Sequence, residues 1–212
     1  MKNLVTTFLF LALVGCATGQ GGMFGPGKFE VIQADSRFSS TNNVIYTSLN
    51  NRISSKSIAG GIHIDGSGVF VNPVLTKSPD QSKVLYLGLH IDNMTSYDST
   101  YGAPNRLGSI ETITFLIDNG KPLILEVNNN KNEWSDVVSY NSATHSASSQ
   151  IIESGVAMLS LEEYSSIISA RTLAVKIRGS KRSIVYETKD ISKGFVANLK
   201  QFYDFYVLKS PA

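Results

Sequence analysis

Lys83-Val84-Leu85-Tyr86-Leu87-Gly88-Leu89-His90-Ile91-Asp92 is the stretch from which the fold class follows. Leu85, Leu87, Leu89 and Ile91 recur at every second position, while Val84, Tyr86, His90 and Asp92 hold the other parity. Successive side chains of a strand point to opposite faces, so a period of two places the four aliphatics on one buried face. This is an amphipathic strand.

The same pattern spreads outward in both directions. Ile113, Phe115 and Ile117 alternate, Asp118-Asn119-Gly120-Lys121 turns the chain, and Leu123, Leu125 and Val127 alternate again. An Asn-Gly pair tolerates positive φ, so these residues form a hairpin. Upstream, 28–34 and 43–49 read as first strands, and 57–65 with 69–77 as a hairpin around Gly66-Ser67-Gly68. Two stretches, 95–107 and 128–133, are polar and turn-forming and read as irregular loops.

The last third changes character. Residues 151–159 form a strand, and Ser160-Leu161-Glu162-Glu163 then has capping-box spacing, which predicts a helix with Leu161, Tyr164 and Ile168 on its apolar face. Leu173, Val175 and Ile177 form a strand face, 179–182 turn, and 183–188 return. Phe195, Leu199, Phe202 and Tyr206, widened by Val196 and Tyr203, make the stripe of a final helix capped by Asp190 or Ser192. The expectation is a mainly β (α+β) domain over 29–212, with about nine or ten antiparallel strands and two helices near the C-terminus. A sandwich with a covering helix is the first choice of architecture, and a curved sheet or partial barrel the second.

Composition excludes several classes. A 42% hydrophobic, 17% charged chain has the make-up of a globular protein. Net charge is +2, and no dense Lys/Arg stretch is present, so no nucleic-acid partner is expected. The single cysteine, Cys16, allows no intramolecular disulfide. No phosphate loop, Cys-x-x-Cys pair or dinucleotide fingerprint occurs, and no cofactor is expected.

The N-terminus carries the most specific signal. Lys2 precedes a mostly apolar run from Leu4 to Val14, the pattern of a secretory signal too short to span a bilayer as a mature helix. It ends in Leu13-Val14-Gly15-Cys16, which resembles the lipobox of bacterial lipoproteins: an aliphatic residue, a tolerant position, a small residue, then cysteine. The resemblance covers only the first sixteen residues. It implies removal of 1–15, a diacylglycerol on the Cys16 thiol and acylation of the new amino group. Ala17, standing where an aspartate would favour the inner membrane, implies anchorage to the outer membrane. Several acyl chains, at about 0.8 kcal/mol per buried CH₂, hold a protein far better than one. Residues 16–28, rich in glycine, then read as a flexible tether reaching on the order of 20 Å.

Two groups of residues have chemical potential. His63-Ile64-Asp65 and His90-Ile91-Asp92 each place an imidazole and a carboxylate on the same strand face. If the two strands were neighbours, His63, Asp65, His90 and Asp92 would suit a zinc-like ion and a metal-assisted hydrolase. Strands separated by a third would leave the histidines near 10 Å apart, twice the ~4.8 Å spacing; independent, solvated pairs are the expectation. The second group is aromatic. Trp134 and Tyr140, with Tyr97 and Tyr101 in the first irregular stretch, are candidates for stacking on sugars or peptides, the plainer reading being partial core. The Asp65-Gly66-Ser67-Gly68 run reads as a turn, not a nucleophile elbow, and Glu162-Glu163 as a helix start. Together these features predict a lipid-anchored outer-membrane protein whose domain binds or scaffolds an envelope protein or glycan without catalysis.

Overall fold

A computed structural model describes residues 27–35, 41–54, 67–135 and 138–208. Among the described residues the strands are β1 (Glu30–Gln33), β2 (Val44–Leu49), β3 (Gly68–Lys77), β4 (Val84–Asp98), β5 (Ile110–Ile117), β6 (Leu123–Trp134), β7 (Ser139–Asn141), β8 (Ser146–Met158), β9 (Leu173–Gly179) and β10 (Ser183–Tyr186). The helices are α1 (Leu161–Ile168) and α2 (Lys193–Phe202), the second running into a π-helical turn, Tyr203–Val207. Ten antiparallel strands in one sheet and two helices near the C-terminus match the expected class.

The strand order is β1-β2-β3-β4-β8-β6-β5-β9-β10, with β7 beside β8. β6 is the corner. Its first residues, Leu123 to Glu126, pair with β5, and from Val127 to Trp134 it pairs with β8. The sheet therefore has two halves joined through one strand. Val71 and Leu75 of β3 and Leu89 and Ile91 of β4 share one core with Ile113 and Phe115 of β5 and Val175 and Ile177 of β9. Inner faces that share a core must face each other, which makes the sheet sandwich-like. Leu85 alone escapes the alternation; near the start of β4 it stays 48% exposed.

The two helices add Tyr164, Ile167, Phe195, Leu199 and Phe202 to the same core. Ser160 caps α1 with both capping-box bonds present, its hydroxyl accepting from Glu163 N–H and its N–H donating to the Glu163 carboxylate. Ser192, not Asp190, caps α2 by accepting from Phe195 N–H at 3.2 Å. The Tyr164 hydroxyl donates to the Leu199 carbonyl at 3.0 Å, tying the helices together, and its ring stacks on Tyr203.

Pro73 lies in the middle of β3, where a missing N–H would break the ladder. The β2–β3 register runs from Val44↔Lys77 to Thr47↔Val74 and stops there. The gap is bridged by side chains: Ser48 donates to the Pro73 carbonyl, and Asn51 N–H donates to Asn72 Oδ1, each at 2.9 Å. Asn50, at φ 64°, redirects the backbone so that Asn51 and Ile53 resume pairing with Val71 and Val69.

The irregular stretches are corrected in part. Residues 95–98 belong to β4, and 128–133 belong to β6. The β6–β8 register shifts between Asn128 and Lys131, and Asn129 there has φ 55°. A bulge takes up the asparagines, so the period of two breaks although pairing continues. Asn130 Oδ1 accepts from Ile110 N–H at 2.7 Å, stitching the bulge to β5. Of the expected hairpin around residue 67, β3 is present, and 57–65 lie outside the described residues.

Candidate functional site

β4, β6 and β8 have 15, 12 and 13 residues, against 8, 7 and 4 for β5, β9 and β10 of the facing half. Inner-face positions of β4 run Leu89, Ile91, Asn93, Thr95, Tyr97, and the first four are fully or almost fully buried. Asn93 and Thr95 lie at the level of the loop 99–109, whose Asn105 carbonyl takes a hydrogen bond from Asn93. Beyond that loop the inner face opens, and its residues are aromatic.

Tyr97 pairs with Ser149 of β8, Trp134 of β6 with Ile151, and Tyr140 of β7 with Ala147. Alternation puts these positions on one face. The Tyr97 and Trp134 rings meet edge to face, centroids 4.9 Å apart at 78°. They line a notch of about 210 Å³ with Ser135, Val138, Ala147, Ser148 and Ser149. Trp134 is 57% exposed. Ser99 holds the loop to the rim through two bonds with Ala147, N–H to carbonyl at 2.8 Å and hydroxyl from Ala147 N–H at 2.9 Å. Asp98 accepts from the N–H groups of Thr100 and Tyr101, building the turn on which Tyr101 projects. The Tyr140 hydroxyl contacts His145 Nδ1 at 3.2 Å. The aromatics singled out in the sequence thus gather at one end of the sheet, with Tyr97 and Trp134 on strands and not in loops.

Among the described residues, no acidic or basic side chain lines the notch. Exposing an indole forgoes much of the 1.5–3 kcal/mol or so that burial of a large apolar side chain brings. The exposure has a topological origin: the long strands outrun the layer that covers them.

The second cluster lies on the opposite face of β4. Ile91 is fully buried, as the His90-Ile91-Asp92 pattern requires, and the polar pair points outward. His90 Nε2 lies 3.5 Å from Asp92 Oδ1, with side chains 27% and 18% exposed. Asn72 donates to Asp92 Oδ2 at 3.2 Å, and Asn198 of α2 donates to Asn51 Oδ1 at 3.1 Å. Together with the Asn51–Asn72 bond, this makes one polar chain from β4 to the helix. Burial raises the Asp92 pKa, a neighbouring Glu133 adds to that, and His90 and Asn72 oppose it. His63 and Asp65, the other half of the supposed metal set, lie outside the described residues, as does Cys16. Among the described residues no three His, Cys, Asp or Glu side chains are placed to hold a metal ion. Ser67 meets Ser96, hydroxyl to hydroxyl at 3.0 Å, and Glu163 is occupied as a cap.

A folded pKa above the ordinary 3.8 means that the stability supplied by Asp92 is complete below that value and lost as pH rises through the folded one. Asp92→Asn should therefore gain stability relative to the wild type as pH is raised from about 3 to about 7. Urea midpoints at several pH values measure this, and a difference that is flat or of opposite sign contradicts it.

A third feature escaped the sequence reading. Glu153 of β8, fully buried, accepts from Asn93 Nδ2 (2.8 Å), Arg106 Nε (2.9 Å), Leu107 N–H (2.6 Å) and Gly108 N–H (3.0 Å). It fastens the loop 99–109, whose first residue, Ser99, is bonded to Ala147 of the notch. Its only sequence signal was Asn93, a polar residue on the buried parity of β4.

No protein-family model matches the chain, and neither a curated protein nor a solved structure shows significant similarity to it. Fold and site define a mainly antiparallel β domain with two helices near its C-terminus and an open aromatic notch at one end of its sheet.

Proposed function

We propose that this protein is a lipid-anchored bacterial envelope protein whose domain is a non-catalytic binding module, with the Tyr97–Trp134 notch as its binding site. The observation that carries the binding role is the edge-to-face pair of half-buried Tyr97 and exposed Trp134, on strands braced by their pairing and by the Ser99–Ala147 bonds. Rigid aromatics offer large contact area and lose little conformational entropy on binding, which is why they dominate recognition surfaces. The anchor rests on Leu13-Val14-Gly15-Cys16 and on Cys16 being the sole thiol. Outer-membrane placement rests on Ala17. The alternative, a metal-assisted hydrolase, would need His63 and Asp65 beside His90 and Asp92, which by themselves supply one nitrogen and one carboxylate.

Two variants test the two halves of this reading. Cys16→Ser should abolish labelling by radioactive fatty acid and move the protein from the membrane to the soluble fraction; undiminished labelling removes the anchor. Crosslinking in intact cells, followed by purification, should capture a discrete partner with the wild type. Trp134→Ala should lose that partner while staying in the membrane fraction. Capture unchanged by Trp134→Ala moves the binding site elsewhere.

A further inference from the structure

We infer that Asn93 and Thr95 of β4, with Asn105 of the loop 99–109, build an internal binding site for a water molecule. Asn93 is fully buried and Thr95 is 2% exposed, at successive inward positions of β4 between Ile91 and Tyr97. Asn93 Oδ1, Thr95 Oγ1 and Asn105 Oδ1 are all buried and have no hydrogen-bond partner among the described residues. Residues two apart on a strand share a face, and the Asn93 amide donates to the Asn105 carbonyl at 3.2 Å, so the three side chains are neighbours. Buried polar atoms are almost always paired, because one that is desolvated and left alone costs more than an ordinary hydrogen bond contributes. Three such oxygens in one place point to a guest that donates to them.

The orientation of Asn93 is fixed by its surroundings. Its NH₂ donates to the Asn105 carbonyl and, at 2.8 Å, to Glu153 Oε2; turned over, the amide would set its oxygen against two acceptors. The two amide oxygens only accept, whereas the Thr95 hydroxyl can also donate. Water matches that set, with two O–H groups for the amides and a lone pair for Thr95, making the roughly three bonds usual for a buried water. Immobilising it costs no more than leaving the oxygens unpaired. Oxygen donors also suit a calcium ion, and charge decides between the two. Calcium takes about six to eight oxygens, carboxylates among them. The carboxylate at hand, Glu153, already accepts from Asn93 and Leu107 at Oε2 and from Arg106 and Gly108 at Oε1, with the Arg106 guanidinium as its counter-charge. The water therefore ties the loop to β4 through Asn105, beside the bonds that Glu153 makes to Arg106, Leu107 and Gly108.

Thr95→Val in the full-length chain separates a wet site from a dry one by the sign of its effect. The substitution keeps the branched shape and removes the hydroxyl. With water bound, it strips a partner from that water, and the urea midpoint should fall by about 0.5 M. With the hydroxyl alone, a methyl group in its place relieves a desolvated polar atom, and the midpoint should stay level or rise; either result overturns the site. Crystallography of the wild type and of Thr95→Ser, which keeps the hydroxyl, reads the site directly. Density within about 2.5–3.2 Å of the residue-95 hydroxyl and of at least one of the two Oδ1 atoms is expected in both. No density there overturns the site. So does a direct bond from the Asn105 side chain to that of Asn93 or Thr95. An ion held by six or more oxygens at about 2.3–2.6 Å overturns the water assignment as well.

Discussion

Glu153→Ala is expected to lower the free energy of unfolding by about 3–5 kcal/mol, the range seen when one partner of a buried charged pair is removed. The carboxylate is 0% exposed and accepts from Asn93, Arg106, Leu107 and Gly108. Its loss strands one guanidinium N–H, one amide and two backbone N–H groups, and buried donors without acceptors are expensive. Gly108 sits at φ 83°, and a Cβ there would collide with Ser180 and Lys181, so the loop has little freedom to find other acceptors. Glu153→Gln should also destabilise, by less, because its amide keeps one acceptor and turns an NH₂ toward groups that are themselves donors. Urea unfolding with an unchanged m-value is the measurement. A loss under about 1 kcal/mol for Glu153→Ala would mean the clamp contributes little, contrary to its geometry.

Phe202→Ala is expected to cost about as much, roughly 3–5 kcal/mol, by a different mechanism. Its ring is 0% exposed in the core, 5.4 Å from the ring of Tyr206, and α2 packs there against α1. Truncation loses the transfer free energy of the ring and leaves a cavity that the surrounding strands relax only partly to fill. Phe205, three residues on, is the internal control: it is 53% exposed, and Phe205→Ala should shift stability by less than about 1 kcal/mol. Equal effects of the two substitutions would mean that the helix is rotated from the orientation described.

Much of the secondary structure was legible in short windows. The period of two between Leu87 and Ile91 gave a strand with those residues buried, and Ser160 with Glu163 gave a helix start with both bonds made. The stripe Phe195, Leu199, Phe202 is the buried face of α2. These are interactions between residues two to four apart, so the pattern that produces them is contained in the stretch itself. The lipobox resemblance is of the same local kind, being a motif of four adjacent residues.

Which strands pair was not legible. β8 inserts between β4 and β6, a choice that sets Asn93 against Glu153 across 60 positions of chain and Tyr97 against Ser149. The notch, the carboxylate clamp and the chain of amides from Asp92 to Asn198 all follow from that order. The bulge at Asn129 was equally hidden, since nothing in 128–133 shows that pairing survives the break in alternation. Alternating strands of similar composition can pair in many orders with similar local energies. What separates those orders is the summed burial and register of the whole sheet, and the loop entropy spent in closing it. That sum has no value for any one segment, and so the sequence by itself determined the alternating strands and the two helices, and only the tertiary structure decided how far β4 and β6 extend and what the elements bring together.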